Sequence, residues 1–218
     1  MQTRGAREMS TLPRWSLAAL VLVMLALIAG GTWFYHAQEQ HLRQHTETEL
    51  QAIAQLKVDQ IVAWRADQLA QAAKLVGSPF FRTAVARWLA DPRAEDAEPL
   101  LVQFRLLQKY HPYRDVFLVD RGGQVLLSLS GQLGPFHEEV TRALTAAFRS
   151  RKAAVADLHI GEDDPTPHLA FIAPFLSEDG PASEPLGAVI LRSDARQFLY
   201  PLIQSWPVPS RTSETLLV

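Results

Sequence analysis

DVFLVDRGGQVLLSLS, residues 115 to 130, is the stretch on which the fold turns. Two short runs rich in β-formers flank Arg121-Gly122-Gly123, and a glycine pair between such runs signals a β-hairpin. Everything before this stretch has helical spacing, so the period of the chain changes here from three or four residues to two.

Upstream, Leu100, Leu101, Phe104 and Leu107 predict a helix from about Ala97 to the His111-Pro112 turn. Asp91-Pro92 breaks the chain before it. Ser78 and Pro79 are suited to the N-cap and first turn of a shorter helix that buries Phe81, Val85, Trp88 and Leu89. Further back, no proline or glycine interrupts residues 39–76, and Leu50, Ala54, Val58, Ile61, Leu69, Ala72 and Val76 recur at mostly helical steps. The expectation is one long helix from Trp15 to Val76, stopped by Gly77-Ser78-Pro79.

The start of that helix is of another character. No charged residue stands between Trp15 and Gln38, and about 20 apolar residues match a bilayer core of about 30 Å. Arg4, Arg7 and Arg14 precede the segment, against one Glu8, while Glu39, Glu47 and Glu49 follow it with only Arg43 among the permanent cations. This asymmetry puts the N-terminus in the cytoplasm. Trp15 at one end and Trp33, Phe34 and Tyr35 at the other suit the headgroup boundary. A cleaved secretory signal is the alternative, and either reading places the residues after about 37 outside the cytoplasm.

Downstream of the hairpin, GPFHEEVTRALTAAF (134–148) returns to helical spacing through Phe136, Val140, Leu144 and Phe148. Three further strands are expected in AAVADLHI (153–160), HLAFIAPFL (168–176) and LGAVILRSD (186–194), separated by the turn-rich GEDDPTP and SEDGPASEP. A last helix, ARQFLYPLIQSW (195–206), carries Pro201, which predicts a kink or a later first turn. The fold class is therefore α+β, with an antiparallel five-stranded sheet, helices to one side, and a pocket between them.

This order resembles the double Cache, PAS-like sensor region of bacterial sensor histidine kinases and diguanylate cyclases. The resemblance covers roughly residues 12 to 218 and rests on KVDQIVAWRADQL (57–69), YRDVFLVDRGGQVLLS (113–128), HLAFIAPF (168–175) and the run from Pro185 to Val218. It implies five segments: a cytoplasmic tail (1–14), a transmembrane helix (15–37), a membrane-emergent helix (38–77), a membrane-distal sensor module (78–205), and a hinge with the first strand of an incomplete second module (206–218). Trp206-Pro207-Val208-Pro209-Ser210 would form that hinge. The implied function is the ligand-sensing input of a transmembrane receptor, with an unknown extracellular small molecule and the lipid bilayer as partners and a homodimer through the long helix. The alternative is a membrane-anchored binding or structural module without signalling output. Any kinase or cyclase chemistry would lie in domains beyond Val218, and the sequence reads as the input part of a longer protein or as a truncated gene.

Composition narrows the chemistry. A 48% hydrophobic and 20% charged chain is globular in type, and a net charge of −2 leaves no basic excess for nucleic acid. With no cysteine, disulfides, thiolate metal sites and cysteine nucleophiles are excluded. No nucleophile, zinc-protease or phosphate-loop motif is visible, so no catalytic residue and no cofactor are expected. His36, His41 and His45 follow the apolar segment, with Glu49 one turn beyond His45, but no fourth ligand is evident and a solvated helix face is expected. Glu162, Asp163 and Asp164 lack the alternating oxygens of a calcium loop and read as a solvated turn.

In a PAS-like module a few polar groups in an apolar wall give specificity. The candidates are Tyr110, Tyr113 and Arg114 before the first strand, Ser128 and Ser130 on the second, and His168, Arg192 and Asp194 near the later strands. For each, the competing reading is a surface or strand-end polar residue. The arginine, tryptophan and tyrosine pattern of amino-acid-binding relatives is absent around YHPYRD (110–115). A carboxylate held by Arg114 or Arg192 is the form a ligand contact would take.

Overall fold

The computed structural model describes residues 14–90, 94–161, 165–177 and 184–205. Arg4 and Arg7, the Asp91-Pro92 break, the acidic Glu162–Asp164 turn and the 206–218 hinge lie outside the described residues, as do the side chains of His41 and His45. The chain divides into two compact units, residues 1–55 and 56–218.

Helix α1 runs Arg14–Gly77. In the first unit its stretch Ala19–His36 has a mean hydropathy of 1.7, long and apolar enough to cross a membrane, and none of it is buried. Gly30 and Gly31 are followed by Thr32, whose hydroxyl donates back to the carbonyls of Ile28 (2.9 Å) and Ala29 (3.0 Å). Such back-bonding satisfies a polar side chain within an apolar helix.

The second unit holds α2 (Pro79–Ala90), α3 (Ala94–Tyr110), β1 (Tyr113–Asp120), β2 (Val125–Ser128), α4 (Glu138–Ser150), β3 (Ala154–His159), β4 (His168–Leu176), β5 (Pro185–Asp194) and α5 (Leu199–Gln204). The strands form one antiparallel sheet in the order β2-β1-β5-β4-β3. The β1–β2 turn is closed by Gly123 at φ +82° and by the Asp120 carboxylate, which accepts the Gln124 amide at 2.8 Å. Only glycine adopts that dihedral without strain. Gly187 is needed for space: a Cβ there would stand 2.2 Å from the Val119 carbonyl oxygen and 2.5 Å from Phe175.

The sequence reading put the helices on one side, and here the structure differs. The three inner strands are apolar on both faces, so both must be covered. Val116, Leu118, Leu169, Phe171, Val189 and Leu191 pack against Trp64 and Ala72 of α1, Phe81 and Val85 of α2, Leu100 and Phe104 of α3, and Leu199 and Ile203 of α5. The alternate residues Phe117, Val119, Ala170, Ile172, Ala188 and Ile190 pack against Val140, Ala143, Leu144 and Ala147 of α4. Successive strand side chains point to opposite faces, which sorts the two cores.

The last helix begins at Leu199 and not at Ala195. Pro201 then falls in the first turn, where its missing N–H costs no hydrogen bond. Its other end is held from α1: the buried Lys57 ammonium donates to the Leu202 carbonyl at 2.7 Å and the Ser205 hydroxyl at 2.8 Å. Trp64, one face of the same helix along, stacks on Phe198 at 4.8 Å.

Candidate functional site

On the α4 side of the sheet the apolar packing gives way to a cavity of about 280 Å³. Phe117, His168 and Arg192 supply its floor from β1, β4 and β5. Gln132, Gly134, Pro135, Phe136 and His137 come from the segment leading to α4, Glu138 and Val140 from α4 itself, and His159 and Gly161 from β3 and its exit. The volume lies just below the usual range of ligand cavities, roughly 300 to 1,000 Å³.

Strand pairing builds the polar end. His159 and His168 stand directly opposite each other on β3 and β4. Cross-strand partners are about 4.5–5.5 Å apart at Cβ, and these two rings meet edge to face with centroids 4.2 Å apart. His137 stacks on His159, at 5.3 Å and 18°. It also caps α4, accepting the Glu139 amide at Nδ1 over 3.4 Å. Arg192 lies over the Phe117 ring at 4.7 Å and donates to Gln132 Oε1 at 3.1 Å. The cavity thus joins a guanidinium, three imidazoles and an aromatic wall. The Glu138 carboxylate at its rim is taken by Arg142 Nη2 at 2.8 Å, and Glu139 by the same guanidinium.

Backbone carbonyls fix the tautomers of the cross-strand pair. His159 Nδ1 lies 2.7 Å from the Asp157 oxygen, and His168 Nδ1 lies 2.8 Å from that of Thr166. A carbonyl only accepts, so both Nδ1 atoms carry hydrogen. His159 Nε2 is buried with no hydrogen-bond partner. Among the described residues, no group of three His, Cys, Asp or Glu side chains is placed to hold a metal ion.

Of the eight residues singled out from sequence, His168 and Arg192 line this cavity; the structure places the other six elsewhere. Tyr110 is exposed at the end of α3, with the Lys109 ammonium 5.6 Å from its ring. Tyr113 is buried on the opposite face of the sheet, its hydroxyl 2.7 Å from Gln68 Oε1 and 2.9 Å from Gln71 Oε1 of α1. Burial, and then the Asp67 charge, push this phenol far above its ordinary value. Ser128 and Ser130 serve Asp115: both hydroxyls and the Ser130 amide donate to its buried carboxylate, as does the Val116 amide at 2.7 Å. This grip ends β2 at Ser128, two residues short of the expected strand.

Arg114 and Asp194 meet at the end of the sheet, 4.0 Å apart, together with Arg196 and Thr166. Burial would raise the Asp194 carboxyl. The hydrogen bonds from Arg196, its charge and that of Arg114 outweigh it and hold the group below the usual carboxylate range.

Sequence reasoning missed His137, His159, Gln132 and Phe117. One signal was present: His159 and His168 bracket the GEDDPTP stretch, and residues at the two ends of a connection between adjacent strands are candidates for facing each other. Nothing local marked His137, which reaches the cavity only because α4 crosses that face.

No family model matches the chain, and no curated protein matches it. Solved structures do. The sensor domain of the V. cholerae histidine kinase DctB superposes with a TM-score of 0.55 at 16% identity, over 74% of this chain and 60% of that one. The ligand-binding domain of the Pseudomonas aeruginosa amino-acid chemoreceptor PctC, in complex with GABA, gives 0.53 at 15% identity, over 73% and 65%. The sensory domain of the Campylobacter jejuni chemoreceptor Tlp3 gives 0.55 at 12%, over 71% and 62%. The fold is accordingly that of the PAS-like, Cache-type sensor domains, with its five-stranded antiparallel sheet and long helix. The chain spans between 60% and 65% of the length of these three solved chains.

Proposed function

We propose that this chain is the extracytoplasmic, ligand-sensing input region of a bacterial transmembrane receptor of the histidine-kinase or diguanylate-cyclase kind. The N-terminus is cytoplasmic and α1 crosses the membrane through its apolar stretch. The observation that carries the reading is the cavity at Phe117, Arg192 and the three histidines, on a fold shared with receptor sensor domains. A small molecule with a carboxylate or similar acceptor group suits the Arg192 guanidinium, which a bidentate contact would engage. Such a ligand changes signalling only to the extent that it binds two arrangements of the module unequally. Pairing of two chains through α1 belongs to the same reading, supported by its exposed Leu50, Val58 and Val62.

The test is a thermal-shift screen of the chain in detergent against amino acids and small organic acids. A hit is expected to raise the melting temperature, and Arg192→Ala to remove that rise. A hit that is indifferent to Arg192→Ala, or no hit at all, counts against the cavity. Topology is checked with reporter fusions at residue 100, where activity of a cytoplasmic reporter would overturn the orientation.

A further inference from the structure

The cavity shares a wall with a second one. A space of about 220 Å³ borders α4 further along, and among the described residues only Pro135 and Phe136 line both it and the cavity of about 280 Å³. Neither volume reaches the roughly 300 Å³ at which ligand cavities usually begin, whereas the two joined would pass it.

Helix period shows how the two spaces are laid out. Glu138 and Val140, at the start of α4, border the first. Thr141, Leu144, Thr145 and Phe148 border the second, and their spacing makes one stripe along the rest of the helix. From the sheet come Gly122 and Gly123 of the β1–β2 turn, which bring backbone and no side chain; a Cβ at Gly123 would stand 3.2 Å from Leu144 Cδ2. The Thr141 and Thr145 hydroxyls donate to the carbonyls of His137 (3.2 Å) and Thr141 (2.9 Å), and the exposed Arg121 pairs with Glu184 at 2.8 Å. Leu144, Phe148 and Pro135 therefore give this second lining an apolar character, in contrast to the guanidinium and imidazoles of the first.

Of the two residues in the shared wall, Pro135 is fixed by its ring, while the Phe136 side chain turns about two torsions. Phe136 is half-buried in the irregular chain between β2 and α4, and its ring meets Phe117 edge to face at 5.2 Å and 84°. A single aromatic contact of this kind is a modest restraint. The wall is thus one movable ring beside one fixed one.

We infer that Phe136 sets the ligand length of this site: its ring confines the polar cavity to compact anions, and the space behind it is an apolar chamber that a ligand's chain enters only when the ring is out of the way. The inference rests on the polar cavity being the ligand site.

Binding of acetate, butanoate and hexanoate to the chain in detergent, measured by calorimetry at constant pH, tests this. Detergent takes up the longer acids alike in every titration, so the comparison is between chains. In the unmodified chain, lengthening from butanoate to hexanoate should leave Kd unchanged or raise it. In Phe136→Ala each added methylene should lower Kd about fourfold, the effect of burying one such group. Thr145→Trp added to Phe136→Ala refills the second chamber and should remove that gain while leaving acetate binding as it was. Should Phe136→Ala fail to fold, Phe136→Leu should show the same trend to a smaller degree. The same chain-length dependence with and without the ring overturns this inference and leaves the cavity as the ligand site. A gain that survives Thr145→Trp also overturns it, because the chain then lies elsewhere. Failure of all three acids to bind either chain removes the cavity reading as well.

Discussion

One face of the sheet is met by Trp64, Phe81, Trp88 and Phe104 from three helices, while the other is met by Val140, Ala143, Leu144 and Ala147 from a single helix. The strand residues differ in the same sense, with Leu169, Phe171 and Phe175 against Ala170, Ile172 and Ala188. Large rings interdigitate into a filled layer, and small side chains under one helix bring it close along part of the sheet only. Where α4 begins, the cover changes from apolar helix to the Gln132–His137 segment, and the cavity opens there. The helical face holds the unit together; the α4 face makes room.

If that division is right, substitutions on the two faces should separate stability from ligand binding. Phe171→Ala removes a fully buried ring at the centre of the helical face and should cost about 3–5 kcal/mol, read as a lower urea midpoint of the chain in detergent. A loss below about 1 kcal/mol would mean that this face is not the main core. Gly187→Ala drives a methyl against the Val119 carbonyl and Phe175 and should cost about 1–3 kcal/mol through displacement of β5 from β1. Lys57→Met leaves the Leu202 carbonyl and Ser205 hydroxyl without their α1 donor. The expected loss is about 1–2 kcal/mol, with faster amide exchange confined to α5 as the sharper readout.

Tyr113 gives the helical face a pH signature. Its pKa is raised in the folded state, so the fold holds a proton that the unfolded chain releases above about pH 10. The stability it contributes is complete below that pH and declines as pH rises further. Tyr113→Phe should abolish this alkaline component in denaturation profiles; an unchanged profile would assign the decline to other groups. The smallest effect on stability is expected from the other face. Arg192→Gln should cost less than about 1 kcal/mol, the scale of a partly exposed cation–π contact, yet weaken carboxylate binding at least about tenfold. A large loss of stability with unchanged binding would invert the comparison.

The legible parts of the fold were those written in local chemistry. The β1–β2 hairpin follows from glycine at a positive dihedral, and α2 begins at Pro79 because Ser78-Pro79 suits a helix start. HLAFIAPFL became β4 residue for residue, bounded by the turn chemistry on both sides. The placement of α4 was not legible. Its apolar stripe announces that one face is buried, but a stripe names no partner, and an inner strand apolar on both faces accepts a helix from either side. The candidate site shared that limit. His168 and Arg192 were reachable from strand position, whereas Tyr113 sat on a strand of the right kind with its side chain in the opposite phase. His137 became part of the site through a crossing of the sheet that no nearby residue encodes.

Local chemistry is enough to set the α+β order, an apolar N-terminal helix, and five strands whose alternation supplies two distinct faces, because hydrophobic period and turn residues act over a few neighbours. Which face carries the packed core and which the cavity is settled by packing between distant segments. Three histidines from residues 137, 159 and 168 come together there through strand register and a helix crossing. Those depend on contacts between segments far apart in the chain, and no local pattern records them.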